Sequence, residues 1–95
     1  MSRPLQLRII LPDAAVPPRP IRGIDVPAAD GRLTVLPGHQ PLIAALVAGI
    51  ATVTTLDNKR ESWRISAGAL QVEGDSAILL VTEAALEGEQ VESGE

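Results

Sequence analysis

The chain has 95 residues, a hydrophobic content of 45% and a formal net charge of −4 at pH 7. This length suits one domain with one modest core, which must be built from Leu, Ile, Val and Ala because Trp is the single aromatic residue. Without aromatic side chains there is no platform for stacked bases, and the negative charge opposes phosphate contacts. We therefore expect no nucleic acid partner.

Two further absences in the composition limit the chemistry. There is no cysteine and only one histidine, which excludes a disulfide framework, a thiolate metal site and a multi-histidine metal site. We therefore expect no metal and no cofactor. The N-terminus lacks the pattern of a secretory signal, and the apolar run at residues 42–51 is far too short to span a bilayer. Any membrane association is expected to come through a protein partner.

Short strands are predicted along the first half of the chain. Apolar residues alternate with others at residues 5–11, which is typical of a half-buried strand. Residues 14–20 contain three prolines, which predicts an extended edge segment or a loop, in a run too short and irregular for a polyproline ligand. Residues 21–26 are predicted as a short strand with Gly23 at a bulge, and residues 32–36 as another strand after a tight turn.

The second half of the chain has the same character. Residues 42–47 lie between Pro41 and Gly49, and this short length favours an extended, buried piece over a helix. Trp63 is predicted to anchor the core, and a partly exposed position at an interface stays open as the alternative. Further strands are predicted at residues 50–56, 61–66, 70–72 and 77–81, with turns at residues 57–60 and 74–75. Short strands separated by Gly and Pro turns predict an all-β fold, an antiparallel β-sandwich of about eight to ten strands.

The end of the chain changes in charge. No Lys or Arg follows Arg64, and the last residues are rich in Glu. We predict a β-sandwich domain at residues 1–86 and an acidic C-terminal tail at residues 87–95, frayed and solvated. A cation site in this tail is not expected, because it has no Gly-punctuated calcium loop.

A stiff polar corner is predicted in the middle of the chain. Pro37-Gly38 fits the centre of a type II turn, and Pro41 restricts Gln40, so His39 and Gln40 should lie exposed on a corner suited to docking. His39 is the one candidate for proton chemistry near neutral pH, and Asp30 could approach it. Because no nucleophile with a supporting shell is visible, we expect no catalytic residue. Holding the turn and contacting a partner remain two open roles for His39.

The same stretch carries a family resemblance. Residues 31–42 fit the pattern Gly-x-x-x-Val-x-Pro-Gly-His-x-Pro-Leu, and Gly49 follows after a short gap. Residues 66–72 read Ser-Ala-Gly-Ala-Leu-Gln-Val, and residues 78–83 form a hydrophobic segment that ends in an acid. Together these segments resemble the epsilon subunit of rotary F-type ATP synthases, over about residues 5–86.

The resemblance implies a β-sandwich domain with no catalytic site of its own. It implies a rotor subunit of the central stalk that couples rotation of the c-subunit ring to the gamma subunit, for ATP synthesis and proton or sodium transport. The implied partners are gamma and the ring directly, and the alpha/beta hexamer indirectly, on the cytoplasmic face of the bacterial plasma membrane. The implied contacts are Asp30, Gly31 and Arg32 for the ring, and His39, Gln40 and Leu42 for gamma.

Some residues depart from the family pattern. Many members have an acid where Arg32 stands, so the charge at the ring contact is expected to be reversed, and Ala67 replaces a Gly. A C-terminal helical hairpin, which inhibits hydrolysis or binds ATP in some members, does not follow here, so neither property is carried over. Two alternatives stay open: a free-standing β-sandwich that binds another protein through residues 37–42, and a small hydrolase or isomerase that uses His39.

Overall fold

The computed structural model describes residues 3–91 and has nine β-strands and no helix within them. The predicted all-β fold is confirmed, and the number of strands falls within the predicted range. The strands are β1 Leu5–Leu11, β2 Ala14–Ala28, β3 Gly31–Val35, β4 Leu42–Leu46, β5 Gly49–Thr55, β6 Lys59–Ile65, β7 Gly68–Glu73, β8 Ser76–Val81 and β9 Ala84–Val91.

The strands form two layers that share β2. One layer has the order β4-β7-β8-β1 and continues into the first half of β2, and the other has the order β3-β2-β5-β6-β9. Neighbouring strands are antiparallel except β1 and β8, which are parallel. A single pairing of Ala28 with Leu46 joins β2 to β4 and brings the two layers together at one end.

The long strand β2 passes from one layer to the other. Its register shifts between Ile21 and Gly23, as the predicted bulge at Gly23 requires. Bulges bend a strand, and bent strands form the corners at which sheets exchange strands. The predicted edge segment at residues 14–20 and the predicted strand at residues 21–26 are therefore two halves of one strand. The first half pairs with β1 and has no strand on its other side within the described residues, which confirms it as an edge.

The core between the layers is aliphatic, as the composition predicts. Burial of each larger aliphatic side chain stabilises the fold by about 1.5–3 kcal/mol. Many such side chains together therefore make up for the missing aromatic residues. Trp63 lies half-buried at the margin of the core rather than at its centre. The fully buried large side chains are Leu5, Leu7, Ile21, Ile24, Val26, Val35, Val53, Leu70, Val72 and Leu79.

Two local predictions need correction. Residues 42–46 are extended, as predicted, but the strand is only half-buried, because Ile43 is 78% exposed. The charged turn is shorter than the predicted residues 57–60, since β6 already begins at Lys59. Asn58 takes a φ of 66° there and its N–H donates to the carbonyl of Thr55 at 3.0 Å. Asn is among the few residues that adopt this conformation readily, which allows the tighter turn.

The frayed tail predicted from residue 87 is also corrected. Residues 84–91 form β9, which pairs with β6 along its length. Arg64 bonds Glu87 at 2.9 Å, so a glutamate assigned to the tail belongs to the sheet. The predicted boundary between residues 86 and 87 thus falls inside a strand, and residues 92–95 lie outside the described residues.

Candidate functional site

The predicted polar corner is present between β3 and β4. The N–H of His39 donates to the carbonyl of Leu36 at 3.1 Å, and Gly38 takes a φ of 85°. These features confirm the type II turn, in which glycine takes the left-handed position after proline. The His39 Nδ1–H donates to the carbonyl of Gln40 at 2.8 Å, so the half-buried ring is held against the backbone. Nε2 is then the ring nitrogen left for a partner.

The corner and the predicted ring contact lie at opposite ends of β3. Asp30 precedes this strand and His39 follows it. At about 3.3 Å per residue, the five-residue strand separates them by roughly 15 Å. The expectation that Asp30 could approach His39 is therefore wrong. The two predicted contact sets occupy two separate ends of the molecule, as two different partners would require.

The turn between β2 and β3 forms an exposed tip, defined as residues 29–31. Gly31 takes a φ of 125°, which a side chain at this position would disfavour. The Asp30 carboxylate is exposed and forms no ion pair with any residue in 3–91. Three other loops, at residues 47–48, 66–67 and 82–83, lie at the same end, because the strands they join pair side by side.

Arg32 does not share the exposed position of Asp30. Its guanidinium donates to the carboxylate of Asp25 on β2, with a distance of 2.7 Å from Nε, and to the backbone carbonyl of Ile50 at 2.9 Å. The hydroxyl of Thr34 donates to the other oxygen of Asp25 at 3.1 Å. The positive charge of Arg32, which was expected at the tip, is thus paired with Asp25 on the sheet. The charge that remains exposed at the tip is the negative charge of Asp30.

The outward side of the layer β4-β7-β8-β1 carries an apolar surface. Ala45, Ala69, Leu80 and Ile10 stand opposite one another on successive strands and form one row across all four. In the next row, the apolar Ile43 and Ile78 alternate with the polar Gln71 and Arg8. The strand β8 lies between β7 and β1 and is apolar on both faces. We call this surface the apolar outer face, consisting of Ile10, Ile43, Ala45, Ala69, Ile78 and Leu80.

The apolar outer face is continuous with the polar corner. A shallow groove lined by Pro41, Ile43 and Gln71 leads from the corner onto it. Leu42, which is predicted to contact a partner, is partly buried against the core, and the next residue in the strand faces outward. Ile43 was missed because an unbroken apolar run does not reveal which side chains point out.

The outward side of the other layer is polar. Asp25, Thr52 and Ser62 stand opposite one another on β2, β5 and β6, and Thr54 stands opposite Arg60 in the next row. We call this surface the polar outer face, consisting of Arg22, Asp25, Arg32, Thr34, Thr52, Thr54, Arg60 and Ser62. The two outer faces cover the same aliphatic core but present different chemistry to a partner.

A partly buried ion pair joins the two layers. Glu61, 7% exposed, binds the guanidinium of Arg19 from the edge half of β2 and accepts a hydrogen bond from the indole N–H of Trp63 at 3.0 Å. Burial raises the pKa of Glu61, but the hydrogen bonds from Arg19 and Trp63 outweigh it, so the net pKa lies below the usual value. This pair could not be predicted from local sequence patterns, because its members lie 42 residues apart.

The arrangement provides surfaces for binding. Within residues 3–91, His, Asp and Glu nowhere gather in a group of three able to hold a metal ion. The hydrogen-bond partner of the His39 ring is a backbone carbonyl, and a general base would need a carboxylate or similar group to orient it toward a substrate. Residues 3–91 contain no helix that could cross a membrane.

Comparison with known proteins gives a consistent family. Residues 4–87 match the model of the ATP synthase delta/epsilon chain, β-sandwich domain. The ATP synthase epsilon chain of Dichelobacter nodosus is 38% identical over 85 residues, which are 90% of this chain and 59% of that protein. The epsilon chain of Chlorobium limicola is 30% identical over 79 residues, which are 83% of this chain and 90% of that protein.

A solved structure has the same fold. A chain in the structure of the Euglena gracilis mitochondrial ATP synthase, comprising OSCP, F1 and the c-ring, superposes with a TM-score of 0.85 and 23% identity, covering 90% of this chain and 55% of that one. This chain spans little more than half the length of several relatives that it matches. Because the family model matches residues 4–87, this chain belongs to the ATP synthase delta/epsilon chain family and corresponds to the β-sandwich domain of that family.

Proposed function

We propose that this chain works as a rotor-stalk subunit of a rotary F-type ATP synthase. In this role it joins the gamma subunit to the c-subunit ring, so that rotation driven by proton or sodium flow is transmitted to ATP synthesis in the alpha/beta hexamer. It performs no reaction itself and lies in the F1 sector, peripheral to the cytoplasmic face of a bacterial plasma membrane. Family membership supports this role, and the two separate contact regions fit it.

The apolar outer face is the proposed docking surface for gamma. It spreads six apolar side chains over four neighbouring strands, and the largest of these exposures is the 78% of Ile43. Apolar surface of this kind gains free energy when a partner removes it from water. Among the described residues, this continuous apolar face is the observation that carries the proposal.

The polar corner is the proposed edge of the same contact. His39 and Gln40 lie beside the apolar outer face, where polar groups at a rim fix orientation while the apolar centre supplies affinity. Ile43 joins the predicted set of His39, Gln40 and Leu42. Leu42 contributes by holding the strand in place from the core side rather than by broad exposure.

The tip is the proposed contact for the ring. Asp30 and Gly31 are exposed there, whereas the guanidinium of Arg32 is occupied by Asp25 and Ile50. Arg32 therefore supports the hairpin, and Asp30 supplies the charge. The expected reversal of charge at this contact does not follow from the substitution alone, because the arginine charge is balanced within the chain.

The experiment compares aspartate substitutions on the two outer faces. Ile43→Asp and Leu80→Asp place a charge on the apolar outer face, and Ser62→Asp places the same charge on the polar outer face. We expect either of the first two to weaken co-purification with a gamma subunit at least tenfold, about 1.4 kcal/mol or more, and Ser62→Asp to leave it unchanged.

The thermal midpoint of each variant is measured as a control, because a variant that no longer folds would also lose binding. Loss of binding counts only for a variant that keeps a cooperative transition. If folded Ile43→Asp binds gamma as tightly as the unsubstituted chain, the proposed docking surface is wrong. If the unsubstituted chain does not bind gamma at all, the free-standing binding module becomes the better account.

A further inference from the structure

A guanidinium group stands among the apolar side chains of the apolar outer face. Arg8 is exposed on the outward side of β1 and stands directly opposite Ile78 on β8. The next outward residue of β1 is Ile10, which belongs to the same face. Arg8 is therefore flanked by two of the apolar side chains that the proposed gamma contact would cover.

Arg8 has no partner within the part of the chain that the structure describes. It forms neither an ion pair nor a hydrogen bond with any residue in 3–91. Every other lysine and arginine of the chain has an interaction, and most of these interactions are ion pairs with an acid. The charge of Arg8 is thus the one positive side-chain charge that residues 3–91 leave without a partner.

The strands around Arg8 explain this lack of a partner. The pairing of β1 with β2 is irregular between Leu7 and Ile9, so no residue of β2 stands opposite Arg8. At this irregularity β2 has Pro17-Pro18, which carries no charge. The strands of this layer place one acid on its outward side, Glu73 on β7, two strands and about 10 Å from β1.

Docking changes the energetics of this charge. In the free chain water surrounds the exposed guanidinium, so the unpaired charge costs little. A partner that covers Ile10 and Ile78 removes this water, and a buried charge without a counter-ion strongly opposes binding. A carboxylate on the partner would offset this cost, because it can accept two parallel hydrogen bonds from the planar guanidinium.

From these features we infer that gamma presents a carboxylate to Arg8 within an otherwise apolar contact. The inference rests on the proposed stalk function and adds the chemistry of the partner surface to it. Arg8 then acts as a specificity residue. A protein with an equally apolar surface but no acid at this point would have to bury the unpaired guanidinium and would bind more weakly.

The test is a calorimetric titration of a purified gamma subunit with the 95-residue chain and with its variants Arg8→Met and Arg8→Glu. Methionine keeps a long side chain but removes the charge, so it separates ion pairing from packing of the arginine stem. We expect Arg8→Met to bind about tenfold more weakly, because the carboxylate of gamma is left buried without a partner. Arg8→Glu brings two carboxylates together, and we expect a loss of about a hundredfold or more.

The matched control is Arg64→Met. It removes the same charge from an exposed arginine on the outward side of β6, in the other layer, and is expected to bind gamma as the unsubstituted chain does. Because Arg8 is exposed and unpaired within residues 3–91, both of its variants are expected to keep the thermal midpoint of the unsubstituted chain.

Two results would overturn the inference alone. Unchanged or tighter binding of Arg8→Met would do so, because removal of a charge favours docking when no carboxylate faces it. Equal losses in Arg8→Met and Arg64→Met would indicate only general attraction between the two proteins. In both cases gamma still binds the unsubstituted chain, so the proposed stalk function stands. If the unsubstituted chain does not bind gamma, that function fails and the inference fails with it.

Discussion

The two outer faces of this molecule differ although the strands beneath them follow one rule. In both layers side chains alternate, and every second one enters a shared core of Leu, Ile, Val and Ala. The outward residues of β8 are largely apolar, whereas those of β5 are mostly threonines. The comparison shows that the inward residues form one common core while the outward residues give the two faces different chemistry, and on our proposal that outward chemistry selects the partner.

The comparison also separates two uses of charge. On the polar outer face, Arg32 pairs with Asp25 and Arg22 bonds the side-chain amide of Asn58. On the tip, Asp30 has no cation from residues 3–91 beside it. Charges satisfied internally stabilise the sheet, and a charge left unsatisfied is available to a partner. The following predictions test these differences, from the largest effect to the smallest.

Glu61→Gln should produce the largest loss of stability. At neutral pH the variant loses the charge that Arg19 and Trp63 bind, and we expect a decrease of about 1.5–3 kcal/mol in the free energy of unfolding. Urea denaturation measures this. Glu73→Gln, at an exposed position in β7, is the matched control and should change stability by less than about 0.5 kcal/mol.

The effect of Glu61 should depend on pH with a definite sign. Its pKa is lower in the folded chain than the ordinary value that it has in the unfolded chain. The ionised carboxylate therefore stabilises the fold fully above the unfolded value, and the contribution is lost as the pH falls through the lower folded value. The gap between Glu61→Gln and the unsubstituted chain should narrow in acid. A gap that stays constant down to pH 2 would contradict the assigned ion pair.

Gly68→Ala should destabilise the layer that carries the apolar outer face. The added Cβ would lie 2.1 Å from the backbone carbonyl oxygen of Leu80, so β7 and β8 would have to shift. We expect a loss of about 1–3 kcal/mol in the free energy of unfolding and weaker binding to gamma. Thermal denaturation and co-purification measure the two effects.

Two other glycines serve as comparisons for Gly68. Gly23→Ala meets mainly the end of the flexible Leu36 side chain, so its cost should be smaller, about 1 kcal/mol, and binding to gamma should persist. Gly88→Ala meets nothing within 4 Å and should be neutral within about 0.5 kcal/mol. If Gly23→Ala costs more than Gly68→Ala, the packing described for the two layers is incorrect.

Arg32→Gln should have a small effect on stability. The arginine is half exposed, and exposed ion pairs contribute about 0–1 kcal/mol, less at high salt. We expect a loss within that range, measured by urea denaturation at low and high salt. Lys59→Gln, which removes a longer contact to Asp57 of 3.8 Å, should cost still less. A loss above 2 kcal/mol in Arg32→Gln would mean that the hairpin depends on this pair far more than exposed pairs allow.

Features set by neighbouring residues could be predicted from the sequence. The turn at Pro37-Gly38 and the hairpin turn at Gly74-Asp75 depend on the φ values that proline and glycine allow, and both are present. The bulge at Gly23 follows from the same reasoning. These features need no knowledge of distant strands.

Features set by distant residues could not be predicted in this way. The strand at Ala84–Val91 exists because it pairs with β6, and its Glu-rich composition indicated a solvated tail instead. Glu61 is buried because Arg19 lies opposite it in space. In the candidate site, His39 and Gln40 were placed correctly on a corner, but the choice between Leu42 and Ile43 required the register of β4 against β7.

Because the chain contains no cysteine, single cysteines can report directly on the central claim that the apolar outer face is the docking surface. The measurement is the rate of maleimide labelling at Ile43→Cys and at Ser62→Cys, with and without a saturating gamma subunit. The account predicts strong slowing at position 43 and an unchanged rate at position 62. Protection at position 62 with free labelling at position 43 would contradict it.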